Sequence, residues 1–290
     1  MTTLTEKAML VSVRISRWQA SITDRAITEK VIRDAGAHDG AGRFNKRLVA
    51  AERLDKLREL GKGARYHHYE NTLPWLDNGA RILPAASYFD YMQRQNAFKA
   101  QFDTAVAQFL TEYPDVITEA KKALGTMFKA SDYPSISDMQ RKFAYAIDVM
   151  PLPEAEDFRI ALGDMEEKRV REQLEARLGE AAQGCVRDVW ERIAKHVGHM
   201  TERLKAYHVD DDGKVQNTFR DSLVENIREL VDILPALNVT NSNSLEVIRQ
   251  RLSEELLEVS APELRDDAKK RRAVAKKAEA ILKDVSDFMA

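Results

Sequence analysis

The chain has 290 residues, 44% of them hydrophobic and 32% charged, with a formal net charge of −2. That length supports one large domain or two ordinary ones with a real core. With only 12 glycines and 8 prolines, collagen-like and low-complexity disordered classes are excluded. No run approaches the ~20 apolar residues of a membrane span, the N-terminus has no apolar signal-peptide core, and Cys185 is the only cysteine. An intrachain disulfide is therefore ruled out, and the expectation is a cytoplasmic protein without a membrane partner.

In Met9–Trp18, Val11, Val13 and Ile15 alternate with Ser12, Arg14 and Ser16, the period-2 pattern of a half-buried strand. A helix is predicted from Thr23, capped by Thr23 or Asp24 and stopped near Gly36, followed by a loop at 38–42 (HDGAG). A second helix is predicted over Arg43–Leu60, carrying Phe44, Leu48, Ala51, Leu54, Leu57 and Leu60, with Gly61 and Gly63 marking its end. Steps of three drift around a helix, so this one meets neighbours on more than one side. Asn78-Gly79 is a turn signal, and Ala80–Leu83 a short strand. Tyr88–Tyr113 reads as a helix with Phe89, Met92, Phe98, Phe102, Val106, Phe109 and Leu110 on its apolar face, interrupted at Pro114 and resuming to about Phe128. Phe143–Val149 alternates again, which favours a strand, although helical character over Asp138–Phe143 leaves helix as the alternative. With residues 9–18 and 80–83 it makes a small sheet.

The stretch Glu154–Tyr207 dominates the second half, since no proline falls between Pro153 and Pro235. Val186, Trp190, Ile193, Val197, Met200, Leu204 and Tyr207 step by four and three, the a/d seam of a heptad, which needs a partner helix to cover it. An earlier seam, Leu174, Leu178, Ala182, Cys185 and Val189, is offset from it across Gly179 and Gly184, implying a change of register or a bend. After a polar turn at 208–214 (HVDDDGK), a helix over Gln216–Leu234 ends at Pro235. Another is capped within Asn241–Ser244 and reaches Val259. Ser260–Glu263 (SAPE) forms a capping box that opens the last helix, with Val274, Ala278, Ile281, Val285 and Phe288 as its seam. The expected fold is mainly α: residues 154–290 form an antiparallel bundle with one long helix, and residues 1–153 a small α+β part containing a short sheet.

Candidate chemistry is sparse. His196, His199 and Glu202 share a helix face but lack the Glu-x-x-His or His-Glu-x-x-His spacing of a metal site. Asp210–Gly213 fails the calcium-loop pattern, since Phe219 falls where the twelfth-position carboxylate belongs. Tyr66–Tyr69 (YHHY), beside Arg65, combines aromatic and basic groups of the kind that stack on bases, and equally suits an aromatic cluster. Lys269–Arg272 is the densest basic run, but four consecutive residues surround a helix and do not form one stripe. No phosphate loop, dinucleotide fingerprint or nucleophile elbow is present, so no catalytic residue, cofactor or metal is nominated. Residues 1–66 carry 14 Lys+Arg against 8 Asp+Glu, a net +6. This asymmetry makes Lys46, Arg47, Arg53 and Arg65 the candidates for a nucleic-acid contact.

Phe219–Asn226 (FRDSLVEN), Leu234–Thr240 (LPALNVT), the early strand ending at Trp18, Leu73–Gly79 (LPWLDNG) through Ile82–Pro84, and Phe143–Pro151 together resemble an uncharacterised family of phage and bacterial proteins, catalogued only as a domain of unknown function. Members sometimes sit near MoxR-type AAA ATPases and von Willebrand A proteins. The resemblance implies an adaptor or assembly protein, with an AAA ATPase as one partner, and identifies no activity. The expected function is a non-enzymatic interaction protein acting through a protein partner or another copy of itself, using Leu174, Leu178, Ala182, Cys185 and Val189. The alternatives are a nucleic-acid-binding protein and an enzyme whose site is assembled from scattered residues.

Overall fold

The computed structural model has the alternating strand expected at residues 9–18 over residues 8–16, and the long helical stretch expected over residues 154–207 as one continuous helix over residues 164–206. It describes residues 4–75, 79–154 and 164–289, so the Asn78-Gly79 turn and the first residues of the expected long helix lie outside the described residues. The helices are α1 (Leu4–Lys7), α2 (Arg25–Asp34), α3 (Asp55–Glu70), α4 (Tyr88–Leu124), α5 (Ile136–Gln140), α6 (Asp164–Ala206), α7 (Ser222–Leu237), α8 (Asn243–Leu256), α9 (Ala261–Asp266) and α10 (Ala268–Met289). The strands are β1 (Ala8–Ser16), β2 (Ser21–Thr23), β3 (Asn45–Arg47), β4 (Leu73–Pro74), β5 (Arg81–Pro84), β6 (Ala144–Pro151), β7 (His208–Val209) and β8 (Val215–Gln216). The fold is mainly α. Its main sheet has the order β4-β5-β1-β6, and β2-β3 and β7-β8 are separate pairs.

The chain divides into two units, but not at the expected boundary of residue 153. Met1–Ser12, Asn71–Phe89 and Val149–Ala290 form the first; Val13–Glu70 and Asp90–Asp148 form the second. The division is discontinuous because β1 and β6 each continue from one unit into the other.

In the first unit α6 packs against α7 and α10, and α8 packs against the same two, which closes a ring of four helices. Trp190, Ile193, Val197, Met200, Leu204 and Tyr207 of the seam are buried, with Ile227, Leu252, Ala278 and Ile281 opposite in the same core. Val186, the first seam position, is only half-buried. α6 passes unbroken through Gly179 and Gly184 for 43 residues, about 64 Å. A Cβ at either glycine would meet nothing within 4 Å, so no close packing requires them. Each weakens the helix by ~1 kcal/mol, less than one buried seam side chain contributes. Antiparallel pairing sets Leu10 opposite Ile82 and Ile82 opposite Leu73, and all three enter this core. The Arg192 guanidinium pairs with Asp188 at 2.7 Å and donates to the Thr72 carbonyl at 2.7 Å, tying α6 to the segment that leads into β4.

Several expected boundaries are corrected. Pro235 lies inside α7, near its end, where the following Asn238 N–H still reaches the Leu234 carbonyl at 3.0 Å. α7 starts at Ser222, not Gln216, because residues 215–216 pair with β7. The Ser260/Glu263 capping box forms, but it opens the short α9. The chain is extended at Asp267, whose carboxylate accepts from the Lys269 and Lys270 N–H groups, so α10 has a start of its own.

The core of the second unit gathers Trp18, Leu48, Leu57, Phe102, Phe109, Tyr113 and Tyr145. α4 runs through Pro114. The lost hydrogen bond and ring clash cost ~3 kcal/mol, but Phe109, Tyr113, Val116 and Ala120 lie buried on one face across that point, and the large ones contribute roughly 1.5–3 kcal/mol each. The expected helix over Arg43–Leu60 is instead β3, a short 3₁₀ turn at Ala51–Leu54, and the start of α3, which continues past both glycines to Glu70. Neither glycine is a helix end, and Gly63 marks a close approach. A Cβ on Gly63 would sit 3.2 Å from the Phe98 ring, and one on Gly61 3.6 Å from Ile15.

Lys46 of β3 is the second unit's buried charge, 1% exposed. Its Nζ lies 2.6 Å from Asp132 and 3.3 Å from Asp24, and donates to the Met127 carbonyl at 2.9 Å. Burial alone would lower its pKa, but the hydrogen bonds to Asp132 and Asp24 outweigh it, and the net shift is upward. The Ile27 N–H, and then Lys46, hold Asp24 below the usual carboxylate range against an opposing effect of burial.

Two outcomes follow. Ile193→Ala should lower unfolding free energy by about 2–5 kcal/mol, measured by urea denaturation; a loss under about half a kcal/mol would mean the seam does not hold the bundle. Lys46→Met removes the buried cation shared by Asp24 and Asp132, leaving only the exposed Lys129 at 4.0 Å from Asp24, and should destabilise the second unit by about 3–5 kcal/mol near neutral pH. A depressed folded pKa stabilises above the unfolded value of ~3.9 and loses that contribution as pH falls through the folded value. The wild-type advantage should therefore shrink below about pH 4, read as converging melting temperatures; a gap that widens in acid would contradict the ion-pair account.

Candidate functional site

The cations selected from the sequence do not assemble into a patch. Lys46 is buried in its ion pair. Arg53 lies between Glu119, at 2.5 Å, and Glu112, at 3.2 Å, and Glu119 leads in raising its pKa. Arg65 donates to the Ile15 carbonyl at 2.7 Å. Arg47 is exposed on β3. Lys46 and Arg53 are thus paired with carboxylates of their own unit. Of the later run Lys269–Arg272, Arg271 is buried, donating to the Leu264 carbonyl at 2.9 Å and lying 4.3 Å over the Tyr207 ring; Lys270 pairs with Glu263 at 2.8 Å.

The YHHY stretch falls on α3, where it joins a polar tie to α4 and β6. The Gln95 amide donates to the Ala64 carbonyl at 3.1 Å and lies 3.2 Å from His67 Nδ1, while the Tyr145 hydroxyl donates to Gln95 Oε1 at 2.5 Å. His68 Nδ1 lies 2.7 Å from the Tyr91 hydroxyl, and His67 stacks on the Tyr91 ring. Burial, then the nearby Arg94, lowers the His67 pKa; burial pushes Tyr145 up to about 12 and Tyr91 higher still. The network joins three elements around a buried amide. Tyr91, Gln95 and Tyr145 were missed in the sequence, yet Gln95 carried a signal: it occupies the buried stripe of α4 between Tyr91 and Phe102.

The acidic turn Asp210–Gly213 is the loop of the β7–β8 hairpin, with the Asp210 carboxylate accepting from the Lys214 N–H at 2.7 Å and from Gln216 at 2.9 Å. Among the described residues no group of three His, Cys, Asp or Glu is arranged to hold a metal ion. No described helix is long and apolar enough to cross a membrane.

The five seam residues chosen as a docking surface separate. Cys185 and Val189 are in the core; burial, with Asp188 beside it, pushes the Cys185 thiol up to about 12, which makes it an inert packing group. Leu174, Leu178 and Ala182 are half-buried. The more open apolar surface is supplied by the end of α10. Ala182, Val186 and Trp190 line a groove of about 420 Å³ with Phe288 and Met289 from the end of α10. Phe288 stacks on Trp190 at 5.0 Å between centroids, yet remains 51% exposed, and Met289 44%. Both groove walls were visible as seam positions in the sequence. Phe288 and Met289 lie at the last turn of α10, and Gln183, Arg187 and Thr240 complete the lining. No family model matches the chain, and no curated protein or solved structure matches it either.

Proposed function

We propose that the protein is a non-enzymatic, cytoplasmic interaction protein that receives a helix of a protein partner in the groove between α6 and the end of α10. The observation that carries this reading is the half-exposed Phe288, which together with Met289 and the half-buried Val186 forms a contiguous apolar patch on an ordered frame. Such patches mark interaction sites more often than scattered exposed apolar residues do, and a groove between helices suits the apolar anchors of an amphipathic helix. Arg187 and Gln183 on the rim supply polar contacts at the edge of an apolar centre, and Arg187 favours a partner helix with carboxylates flanking its anchors. The resemblance noted in the sequence supports an adaptor role and makes an AAA ATPase the first partner to try. The nucleic-acid alternative is less favoured, because Lys46 and Arg53 have carboxylate partners within the fold.

The test uses the full chain as bait, with and without nuclease, beside light scattering over a concentration series. Phe288→Glu and Met289→Glu change exposed side chains and should leave the melting temperature within a few degrees of wild type. Wild type should capture a specific protein or self-associate, and both variants should lose at least about tenfold in that affinity. A monomeric wild type that captures nothing, or variants that bind as well as wild type, would overturn the proposal.

A further inference from the structure

The excursion from β2 to β3, residues 21–47, is ordered without a core of its own. α2 has no buried residue, and only Asp24 and Lys46 in the whole excursion are buried. Its frame is nevertheless firmly tied. β2 and β3 pair over three residues, and Lys46 joins Asp24 across the two ends at 3.3 Å. The Asp24 N–H donates to the Phe44 carbonyl at 3.0 Å, while the Thr28 hydroxyl donates to the Asp24 carbonyl at 2.7 Å and accepts from the Phe44 N–H at 3.0 Å. A buried ion pair is weak evidence for net stability, so a frame built on one, around a segment that buries little, points to a role other than core packing.

That frame borders an open depression of about 630 Å³ between α2 and the loop at 39–43, within the ~300–1,000 Å³ range of small-molecule sites. Arg25, Glu29, Asp39 and Arg43 line it. Among the described residues none of these four side chains makes an ion pair or side-chain hydrogen bond. Gly40, at φ +89°, and Gly42 also line the depression, and a Cβ at either would meet nothing within 4 Å, so backbone faces the space without side-chain cover. The N-terminus of α2 is already filled by the Asp24 carboxylate, which accepts from the Ile27 N–H at 3.2 Å. An anion here therefore depends on the two guanidiniums.

We propose that this depression binds a hydroxyl-bearing phosphate ester, of the sugar-phosphate or mononucleotide class. Guanidinium groups recognise phosphate oxygens through paired, charge-assisted hydrogen bonds, which assigns the phosphate to Arg25 and Arg43. Carboxylates accept from hydroxyls, which assigns the sugar to Glu29 and Asp39, and Ile32 provides an apolar wall. The two carboxylates repel a bare phosphate, so the ester is favoured over the inorganic ion.

Calorimetric titration of the full chain with ribose 5-phosphate, AMP, ribose and inorganic phosphate, at matched ionic strength, tests this. Ribose 5-phosphate should bind with a Kd below about 1 mM, and at least about tenfold more tightly than ribose or phosphate. Arg25→Ala and Arg43→Ala should each weaken it by about tenfold or more. Glu29→Gln and Asp39→Asn should weaken the ester while strengthening inorganic phosphate, a reversal that loss of folding would not produce. AMP binding as well as ribose 5-phosphate places recognition on the phosphate and sugar, and tighter AMP binding adds the Ile32 wall; both support the site. No heat from either ester at millimolar concentration, phosphate binding as tight as the ester, or unchanged affinity in both arginine variants would overturn it.

Discussion

Burial of the α6 seam is the interaction on which the first unit depends. A lone helix with Ile193, Val197 and Met200 on one face would expose them all; in the ring with α7, α8 and α10 each is fully buried. A large side chain buried in this way contributes roughly 1.5–3 kcal/mol, and the buried row of α7, from Leu223 to Leu237, packs against the seam. The α6 seam sets the other partners. β4 and β5 bring Leu73 and Ile82 to this core, and Arg192 on the flank of α6 reaches the Thr72 carbonyl. The seam also explains why Gly179, Gly184 and Gly198 are tolerated inside α6, since local helix propensity is a weak term beside tertiary burial.

The second unit is held in another way. It has one long helix, α4, and around it short strands and irregular turns that have few backbone partners of their own. Side-chain hydrogen bonds fill that gap. The Tyr133 hydroxyl donates to the Leu48 carbonyl at 2.7 Å and the Tyr113 hydroxyl to the Pro134 carbonyl at 3.1 Å. Lys46 joins β3 to Asp132, and Gln95 joins α3, α4 and β6. Buried polar groups are expensive when unpaired and specifying when paired, so each such bond fixes a turn that apolar packing alone would leave undetermined.

This contrast decides what was legible in the sequence. Periodic burial leaves a periodic trace, so the α6 seam, the stripe of α4 and the alternating strands β1 and β6 were all readable, as was the mainly-α class. Residues whose role is set by a distant partner were not. Lys46 looked like a surface cation because nothing local announces Asp24 and Asp132 as its neighbours. Gly61 and Gly63 looked like a helix end because the Phe98 ring and Ile15 that approach them are remote in sequence. Pro114 looked like a break because local rules cannot weigh one lost hydrogen bond against a stripe that continues past it. Two-residue strands such as β4 are too short to carry any period. Of the docking residues, Ala182 does line the groove, while Cys185 and Val189, further along the same stripe of α6, are covered by the core.

The two surfaces argued to carry function share one physical property: each is ordered by contacts made elsewhere and uses little of its own side-chain surface for folding. At the end of α10, Val285 is fully buried and anchors the helix, while Phe288, one turn on, rests on Trp190 and stays half in solvent. In the excursion, the strand pair and the Lys46–Asp24 contact do the anchoring, and the side chains of Arg25, Glu29, Asp39 and Arg43 project from it. Their chemistries are opposite. The first offers apolar area, where affinity comes from removing water from aromatic and aliphatic groups. The second offers fixed charges of both signs, where affinity comes from matching them and selectivity from the penalty of leaving one unmatched. Each surface lies wholly within one unit, so either can be occupied without the other.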